Sequence, residues 1–489
     1  MTTPCYQHSQ QTHDLKNPIK FSLSVMVLGL LSASAFAAPE PPYLDNGEFQ
    51  QCLNTLKNSS GFSAVSPSTF ERYRPTAPDP SVVVSLNYQP EFDKKVWDYL
   101  SGLVDDERAQ DGVEAKQRLM PTLRQIEQRY GVDANHVLGV WGVESNFGKT
   151  LGKKDLIDSL ATLSCFDRRQ SYFRTEYANA LKILQRGDIR REDLKGSWAG
   201  AFGQTQFMPS TFLRLAQDFD GDGRKDLVNS EADALASTAN FLAKSGYRTG
   251  EPWGYEVKLP TGYWANSNRK DKKPISYWRA QGLTLPDGRP LPSDLDSAGL
   301  LLPAGVEGPA FLVGKNFDTF YSYNASENYA LAIAHLSDMI RQNRTSNVGF
   351  ATPWPTDDPG ISRRQAREIQ QALLNLGYDI GNADGIIGDK TRYAIQDYQR
   401  KQGVNPDGRA GMKLYRQLVG QNEQSGAFVR QPTNQPSQYR QPTTYNQPNG
   451  YRIVQPVVVA PVVSTPSNNR PVIMRRVDTG NGVVLAPSR

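Results

Sequence analysis

Residues 139–148 read GVWGVESNFG and place a single carboxylate, Glu144, among apolar neighbours. Asp133 is a suitable N-cap and no proline follows it before Phe147, so a short helix is predicted. At about 100° per residue, Glu144 falls near the centre of an apolar arc. The arc consists of Val137, Val140, Trp141 and Phe147, and the polar side is assigned to Gly139, Gly142 and Asn146. An acid on a buried stripe must find a partner, remain protonated or face a cleft, and the last of these would be functional.

The N-terminus has the pattern of a secretory leader. Lys16 and Lys20 precede the apolar run FSLSVMVLGLLSASAFA, which ends in an A-x-A cleavage pattern. Residues 1–37 are therefore predicted to be a signal peptide, and no lipid-attachment cysteine follows them. The alternative is an uncleaved anchor, although the run is short for a membrane span. We expect an exported, periplasmic protein with no membrane span after removal of the leader.

Of the three cysteines, Cys5 belongs to the leader. Cys52 and Cys165 remain, an even pair in an oxidising compartment, and are predicted to form one disulfide. This bond would tie the N-terminal segment to the catalytic body. The alternative is two unpaired buried thiols.

Charge and motif content exclude several functional classes. The net charge of +5 over 489 residues suits loose attraction to an anionic polymer, and no basic run is interleaved with aromatics. Nucleic acid is therefore not an expected partner. Four scattered histidines lack metal-ligand spacing, and no G-x-S-x-G elbow occurs. Zinc peptidases, zinc amidases and serine acyl transferases are therefore disfavoured.

One long, predominantly helical unit is predicted from 40 to 345. Apolar periodicity predicts its helices at 48–57, 91–104, 113–131, 134–147, 174–187, 209–219, 231–246 and 327–343. Many Gly and Pro turns between 246 and 323 indicate an irregular or small-stranded insert. Residues 346–360 are rich in Pro, Gly and Thr and are predicted to be a linker.

Residues 361–419 form a separate small module. Two Asp-Gly turns, at 384–385 and 407–408, each lead into a helical pattern. From 420 to 489, Gln, Asn, Pro, Ser and Val dominate without a sustained period, so this tail is predicted to be disordered.

Residues 195–212, KGSWAGAFGQTQFMPSTF, combine small residues with polar and aromatic side chains. Small residues let the backbone approach a ligand closely. Ser197, Gln204 and Gln206 offer neutral hydrogen-bonding groups, and flat apolar faces are expected from Trp198, Phe202 and Phe207. Such a set suits a sugar, whose hydroxyls form hydrogen bonds while its C–H faces stack. The alternative is a tight turn between two helices.

Residues 218–229, DFDGDGRKDLVN, have the spacing of a cation-binding loop. Asp218, Asp220 and Asp222 occupy positions one, three and five, and Gly223 occupies the sharp turn at position six. The remaining predicted ligands are Arg224 through its carbonyl, Asp226 and Asn229. Asn229 replaces the usual bidentate Glu, so weak, structural binding of calcium or sodium is expected, with no cofactor for catalysis. The alternative is a metal-free turn rich in aspartate.

Five stretches occur in order over most of residues 45–342: GVESNFG, LATLSCFDRRQSYF, KGSWAGAFGQTQFMPSTF, DFDGDGRKDL and YNASENYALAIAHL. Together they resemble the lytic murein transglycosylase B family. The 361–419 module resembles a three-helix peptidoglycan-binding domain through LNLGY, DGIIGDKT and AIQDYQ. The resemblance implies a mainly α (α+β) chain with a lysozyme-like catalytic domain, a small wall-binding domain and a disordered C-terminal tail.

The same resemblance implies that Glu144 is the catalytic acid and that peptidoglycan glycan strands are the substrate. Non-hydrolytic cleavage between N-acetylmuramic acid and N-acetylglucosamine would leave a 1,6-anhydro end. Contact with Trp141 and Val140 would remove water from Glu144 and favour its protonated form. Binding roles carried over from the family fall on Arg168, Arg169, Ser197, Gln206, Phe207, Tyr323, Asn324 and Tyr329.

Two other functions stay open at this point. A hydrolytic muramidase would need a second carboxylate across the cleft, and nearby acids include Asp155, Asp158 and Asp167. A non-catalytic cell-wall-binding protein would use the 361–419 module and leave Glu144 structural. That module could instead dock a cell-wall protein partner.

Overall fold

A computed structural model describes residues 42–84, 94–264 and 267–420, together with two strands at 474–478 and 483–487. The predicted signal peptide and most of the predicted disordered tail lie outside the described residues. Within those ranges, none of the helices combines the length and the hydropathy that crossing a bilayer requires.

Helices dominate the described chain, which confirms the mainly α prediction. In chain order, α1 to α11 are Asn46–Lys57, Pro67–Tyr73, Pro80–Val84, Val96–Leu103, Asp106–Arg118, Met120–Tyr130, Ala134–Ser145, Leu156–Phe166, Gln170–Arg186, Pro209–Leu215 and Glu231–Lys244. Helices α12 to α17 are Ile275–Ala280, Lys315–Asn324, Glu327–Arg341, Arg363–Asn375, Asp389–Lys401 and Met412–Leu418. Strands β1 to β8 are Lys154–Asp155, Lys195–Gly196, Gly254–Val257, Asn268–Pro274, Ser297–Leu301, Ala310–Val313, Met474–Asp478 and Val483–Pro487.

Helix α7 carries Glu144 in its last turn. The predicted N-cap is confirmed, because the Asp133 side chain accepts a hydrogen bond from the backbone N–H of Asn135 at 2.7 Å. The helix ends at Ser145, earlier than predicted, because Asn146 and Phe147 adopt left-handed conformations with φ of 51° and 58°. Phe147 therefore belongs to the turn beyond the helix.

The two glycines of α7 face a neighbouring helix, which corrects their assignment to a polar side. A Cβ at Gly139 would lie 2.1 Å from the Oγ of Ser337, and one at Gly142 would lie 2.7 Å from a methyl carbon of Leu336. Both neighbours lie on α14. A helix that is buried on nearly all sides has no polar stripe. Its sequence periodicity therefore could not predict which face contacts the neighbouring helix.

Two helices replace the single one predicted over 113–131. Helix α5 starts earlier, at Asp106, and α6 begins at Met120 with a proline in its first turn. Proline is tolerated there because its missing N–H would lack an intrahelical partner anyway. The sequence prediction also missed α8, which is buried over most of its length and has no clear polar face.

Two hydrophobic cores divide the helical body into lobes. The first lobe surrounds α7 and α14, and the second surrounds α8 and α9. Phe241 and Tyr323 pack against both cores. The boundary between the lobes therefore passes beside these two aromatic rings.

The predicted insert at 246–323 contains an antiparallel sheet with strand order β3-β6-β5-β4. The sheet and α12 enclose a small core of their own, which includes Trp278 and Leu300. Helix α13 begins inside this range. The sequence pattern did not identify it as a helix because many of its residues are polar.

The predicted linker packs against the helical body. The ring of Phe350 contacts Phe311 edge-on at 4.9 Å, and Trp354 lies 6.3 Å from Trp97. Its Pro and Gly content therefore marks an ordered irregular segment.

Ion pairs hold the 361–419 module against α4 and α5. The guanidinium of Arg363 binds both carboxylate oxygens of Asp105, at 2.8 and 3.0 Å, and Arg409 reaches Asp98 at 2.7 Å. Burial alone would raise the pKa of Asp105, yet its hydrogen bonds with Arg363 and the Arg108 backbone lower it. A bidentate, largely buried pair of this kind fixes orientation better than an exposed one.

Strands β7 and β8 pair antiparallel, with Met474 opposite Pro487. These ten residues lie within the tail, 420–489, for which disorder is predicted. Short valine-containing strands carry little periodic signal of their own.

A disulfide joins Cys52 on α1 to Cys165 on α8, across a sequence separation of 113 residues. Both residues pack at the edge of the second core. The bond restricts the unfolded chain, and its effect grows with the length of the closed loop.

Replacing Cys52 and Cys165 together with Ser should lower the free energy of unfolding by about 2–5 kcal/mol. The measurement is denaturant unfolding of the mature protein without reductant. Reductant should weaken the native protein to a similar degree and leave the double variant unchanged. Equal stability of the two proteins would show that the bond contributes nothing.

Candidate active site

Glu144 is half-buried, whereas its neighbours Val143 and Ser145 are buried. The hydroxyl of Tyr329, in the first turn of α14, donates a hydrogen bond to the Oε1 atom of Glu144. Tyr329 is only 2% exposed, so this hydroxyl meets the carboxyl inside the protein. The structure thus gives Glu144 a phenol partner from a distant part of the chain, which the sequence did not predict.

Tyr329 belongs to an aromatic stack at the lobe boundary. Its ring lies 6.2 Å from Tyr323, with 26° between their planes, and Tyr323 lies 4.5 Å from Phe241. The hydroxyl of Tyr323 donates to the backbone carbonyl of Thr205 at 2.8 Å. The stack therefore connects the Glu144 carboxyl to the 195–212 segment.

Both tyrosines keep their protons near neutral pH. Desolvation raises the pKa of Tyr329 and of Tyr323 well above 10, and the charge of Glu144 raises both further. A neutral phenol can donate to an ionised carboxylate and accept from a protonated carboxyl. Tyr329 can therefore remain hydrogen-bonded to Glu144 in either protonation state.

The segment from Ser197 to Phe207 folds back on itself by short backbone contacts. The Oγ of Ser197 accepts from the N–H of Ala201 at 3.1 Å, and Gln206 has a φ of 49°. The side-chain amide of Gln206 donates to the carbonyls of Gly203 at 2.8 Å and Leu151 at 3.3 Å. Gln206 thereby joins this segment to the turn that follows α7.

Two of the three aromatic faces expected for sugar stacking are internal. Phe202 is fully buried and Phe207 is 2% exposed, with its ring 5.8 Å from Tyr323. The prediction that Phe207 contacts substrate does not fit this burial, and its ring supports Tyr323. Trp198 is half-buried. Aromatic identity alone could not separate a stacking surface from a core contact.

Glu176, which the sequence analysis missed, anchors the end of this segment. It is 3% exposed, and its two oxygens accept from the N–H and the Oγ of Ser210, at 2.8 and 2.7 Å. Burial raises the pKa of Glu176, against the effect of these two bonds. A charge near the start of the 174–187 helical pattern was a usable signal for such a contact.

The remaining predicted binding residues lie on two turns. Arg168 is exposed, and the Arg169 guanidinium lies over the Phe173 ring at 5.1 Å, with its Nε 3.6 Å from Asp167. Asn324 is exposed at the end of α13, in the turn that leads to Tyr329.

The acids that were candidates for a second carboxylate already have partners. Asp155 caps α8 and pairs with Arg191, which also lies 3.4 Å from Asp158. Asp167 is buried and accepts from the N–H of Arg169 within its own turn. Their contacts are those of structural residues.

The acidic loop, residues Asp218–Asn229, brings three of its predicted ligands together. Carboxylate oxygens of Asp218, Asp220 and Asp222 lie within 4.8 Å of one another. Asp226 stays outside this cluster, and its carboxylate accepts from the side chain of Asn229 at 2.9 Å. The structure therefore brings the first three predicted ligands close together, while the side chains of the last two, Asp226 and Asn229, bond to each other.

Asp233, which was not predicted from the sequence, anchors the acidic loop by accepting backbone hydrogen bonds. It is fully buried, and its carboxylate accepts from the N–H groups of Phe219 at 2.7 Å and Asp226 at 2.8 Å. Burial raises the pKa of Asp233, which these backbone donors partly offset. The Ser230-x-x-Asp233 pattern at the start of α11 was the available signal.

Comparison with protein families gives two matches. Residues 48–338 match the Transglycosylase SLT domain family, and residues 362–418 match a peptidoglycan binding domain family. The first match covers more than half of the chain.

Three relatives are similar to this chain. The chain is 33% identical over 248 residues to membrane-bound lytic murein transglycosylase B of Escherichia coli (strain K12), covering 50% of this chain and 66% of that protein, slightly under two thirds. It is 42% identical to SltB3 from Pseudomonas aeruginosa in complex with NAG-anhNAM-pentapeptide, with a TM-score of 0.60, covering 76% of this chain and 99% of that one. The Escherichia coli lytic transglycosylase Slt35 in complex with calcium is 31% identical, with a TM-score of 0.52, covering 62% of this chain and 95% of that one.

Replacing Tyr329 with Phe should slow glycan cleavage roughly tenfold or more, because a hydrogen bond to a charged group contributes about 1.5–3 kcal/mol. The measurement is the rate of soluble fragment release from purified sacculi. Tyr177→Phe is the matched control, since Tyr177 is fully buried and its hydroxyl has no hydrogen-bond partner among the described residues. Equal loss in both variants would contradict a specific role for Tyr329.

Proposed function

The chain belongs to the Transglycosylase SLT domain family, and from this premise we propose that it is an exported lytic murein transglycosylase. The bond it cleaves is the β-1,4 bond between N-acetylmuramic acid and N-acetylglucosamine, and the product carries a 1,6-anhydro end. The observation that carries the proposal is the half-buried Glu144 carboxyl, held by the buried hydroxyl of Tyr329. The anhydromuramoyl fragment named with SltB3, at 42% identity, supports the product.

Glu144 serves both halves of the reaction. As an acid, it gives its proton to the glycosidic oxygen, and the bond from that oxygen to the muramoyl C1 breaks. As a base, it then takes the proton from the muramoyl C6 hydroxyl, whose oxygen bonds to C1. Glu144 recovers from the C6 hydroxyl the proton that it gave to the glycosidic oxygen, so no water is consumed.

The surroundings of Glu144 suit this double role. A carboxyl that is partly withdrawn from water favours its neutral, proton-donating form. The Tyr329 hydroxyl can donate to the carboxylate that forms after the first proton transfer, and its raised pKa keeps it protonated. Hydrolysis by paired carboxylates would need a second acid opposite Glu144, and the acids considered for that role are held by Arg191 or within their own turn.

The domain organisation follows the same proposal. Residues 1–37 are removed as a leader, 40–345 form the catalytic domain, 346–360 connect it to the wall-binding domain at 361–419, and 420–489 form a tail. The disulfide between Cys52 and Cys165 supports export, because such bonds persist in oxidising compartments such as the periplasm.

Replacing Glu144 with Gln should abolish fragment release, because the amide can neither give nor take the proton. Purified sacculi are digested and the soluble muropeptides are measured by mass spectrometry. The native protein should yield ends lighter by one water than those from a hydrolase. Glu144→Gln should still sediment with sacculi through the 361–419 domain.

Glu192→Gln is the matched control, since that side chain is 65% exposed. It should keep native activity. Full activity of Glu144→Gln would overturn the proposed mechanism, and hydrated ends from the native protein would identify a muramidase.

We also propose that the acidic loop binds a calcium ion with a structural role. Calcium prefers carboxylate and carbonyl oxygens, and the clustered side chains of Asp218, Asp220 and Asp222 supply such donors. Positive φ angles at Gly221 and Gly223, 79° and 88°, give the loop its sharp turns. Calcium bound in the relative Slt35 supports the choice of ion.

Adding calcium to chelator-treated protein should raise the melting temperature, and Asp222→Asn should weaken calcium binding at least about tenfold by removing one ligand charge. Calorimetric titration gives the affinity. Asp287→Asn, in a turn where Asp287 pairs with Arg289, should bind calcium as the native protein does. No heat and no thermal shift with the native protein would refute the site.

A further inference from the structure

Gln204 uses all four of its polar groups to join two parts of the molecule. Its Oε1 accepts from the indole N–H of Trp141 at 3.0 Å, and its Nε2 donates to the carbonyl of Val228 at 3.0 Å. Its backbone N–H donates to the carbonyl of Leu227 at 2.7 Å, and its own carbonyl accepts from the Oγ of Ser145 at 2.6 Å. The residue is 5% exposed, so water does not compete for these bonds.

The four bonds connect the Glu144 helix with the acidic loop. Trp141 and Ser145 lie on α7 on either side of Glu144 in sequence. Leu227 and Val228 belong to the last part of the acidic loop. Ser145 extends the connection, because its Oγ also accepts from the N–H of Gly148 at 3.0 Å and so fixes the turn beyond α7.

A shared cavity brings the same parts together. Its volume is about 660 Å³, and its wall includes Gln204, Phe147 and Gly148 together with Asp220 and Asp222 of the acidic loop. The Gln204 amide also sits close to the turn after α7, because a Cβ at Gly148 would lie 2.7 Å from its Oε1. The loop aspartates and the end of the Glu144 helix thus border one space.

We propose that Gln204 is a positioning residue that couples cation binding in the acidic loop to the placement of the Glu144 carboxyl. The proposal rests on the calcium site proposed above. A cation that draws the three aspartates together restrains the loop, including the carbonyls of Leu227 and Val228. Those carbonyls orient Gln204, and Gln204 in turn orients Trp141 and Ser145 on the helix that carries Glu144.

Amide hydrogen exchange in calcium-loaded and chelator-treated protein tests the coupling. In the native protein, calcium should slow exchange in residues 218–228 and also in residues 145–148, each by about tenfold or more. Gln204→Met keeps the volume and removes both side-chain hydrogen bonds. In that variant, calcium should still slow the loop and should slow residues 145–148 clearly less than in the native protein, because only the two backbone bonds, to Leu227 and from Ser145, remain.

A second variant removes one of the two bonds on the helix side. Trp141→Phe removes the indole donor and leaves the bond from Gln204 to Val228, so calcium should slow residues 145–148 clearly less than in the native protein, while the bond from Ser145 to the Gln204 carbonyl remains. Both variants should lower kcat more than they change KM, because they disturb the acid and leave substrate contacts in place.

Asn240→Leu is the matched control. Asn240 is 8% exposed and its amide donates to the carbonyl of Leu215 at 2.8 Å, so it is a buried amide that joins α11 to α10 instead of to α7. Its loss should destabilise the protein while calcium still slows exchange at 145–148.

The outcomes separate this proposal from the one on which it rests. If calcium slows the loop but not residues 145–148 in the native protein, or slows residues 145–148 as strongly in Gln204→Met and Trp141→Phe as in the native protein, the coupling is overturned and the calcium site stands. If calcium slows neither segment in the native protein, both proposals fall.

Discussion

The close approach of α7 and α14 is the constraint on which the site depends. Gly139 and Gly142 leave no room for a Cβ against α14, and this lets the two helix backbones come together. Tyr329, buried in the first turn of α14, reaches Glu144 because of that approach. A larger residue at either glycine would push the helices apart and separate the phenol from the carboxyl.

The lobe boundary explains how one carboxyl can be both dehydrated and reachable. In the proposed mechanism, a fully buried Glu144 could not meet a polymer, and a fully exposed carboxyl would favour the ionised form, which cannot donate to the glycosidic oxygen. At the boundary, the first lobe supplies Glu144 and Tyr329, and Tyr323 packs on both lobes. The second lobe supplies the backbone of Thr205, to which Tyr323 is bonded. The site is therefore assembled by contacts between lobes.

The wall-binding domain is held to the catalytic body by charge. Arg363 and Asp105 form a bidentate pair in which the Asp105 side chain is 2% exposed, and Arg409 with Asp98 forms a second, half-buried pair. The partly apolar linker packs against the core of the catalytic body through Phe350 and Trp354. A wall-bound chain would thus present its cleft in a restricted orientation.

The sequence by itself determined the features that short windows encode. Helix periodicity with Asp133 as its cap placed Glu144 on a helix, the spacing of three aspartates marked the acidic loop, and the order of motifs indicated the family. These depend on residues a few positions apart, which constrain one another through local backbone geometry.

Only the tertiary structure decided which of those residues meet. Tyr329 contacts Glu144 across 185 positions and Gln204 contacts Trp141 across 63, and no local pattern encodes such distances. The burial of Phe207 and the contact of the α7 glycines with α14 were likewise set by neighbours from other parts of the chain. The physical reason is that a side chain's period along a helix tells which face it occupies, while the identity of what covers that face is fixed only when the whole core packs.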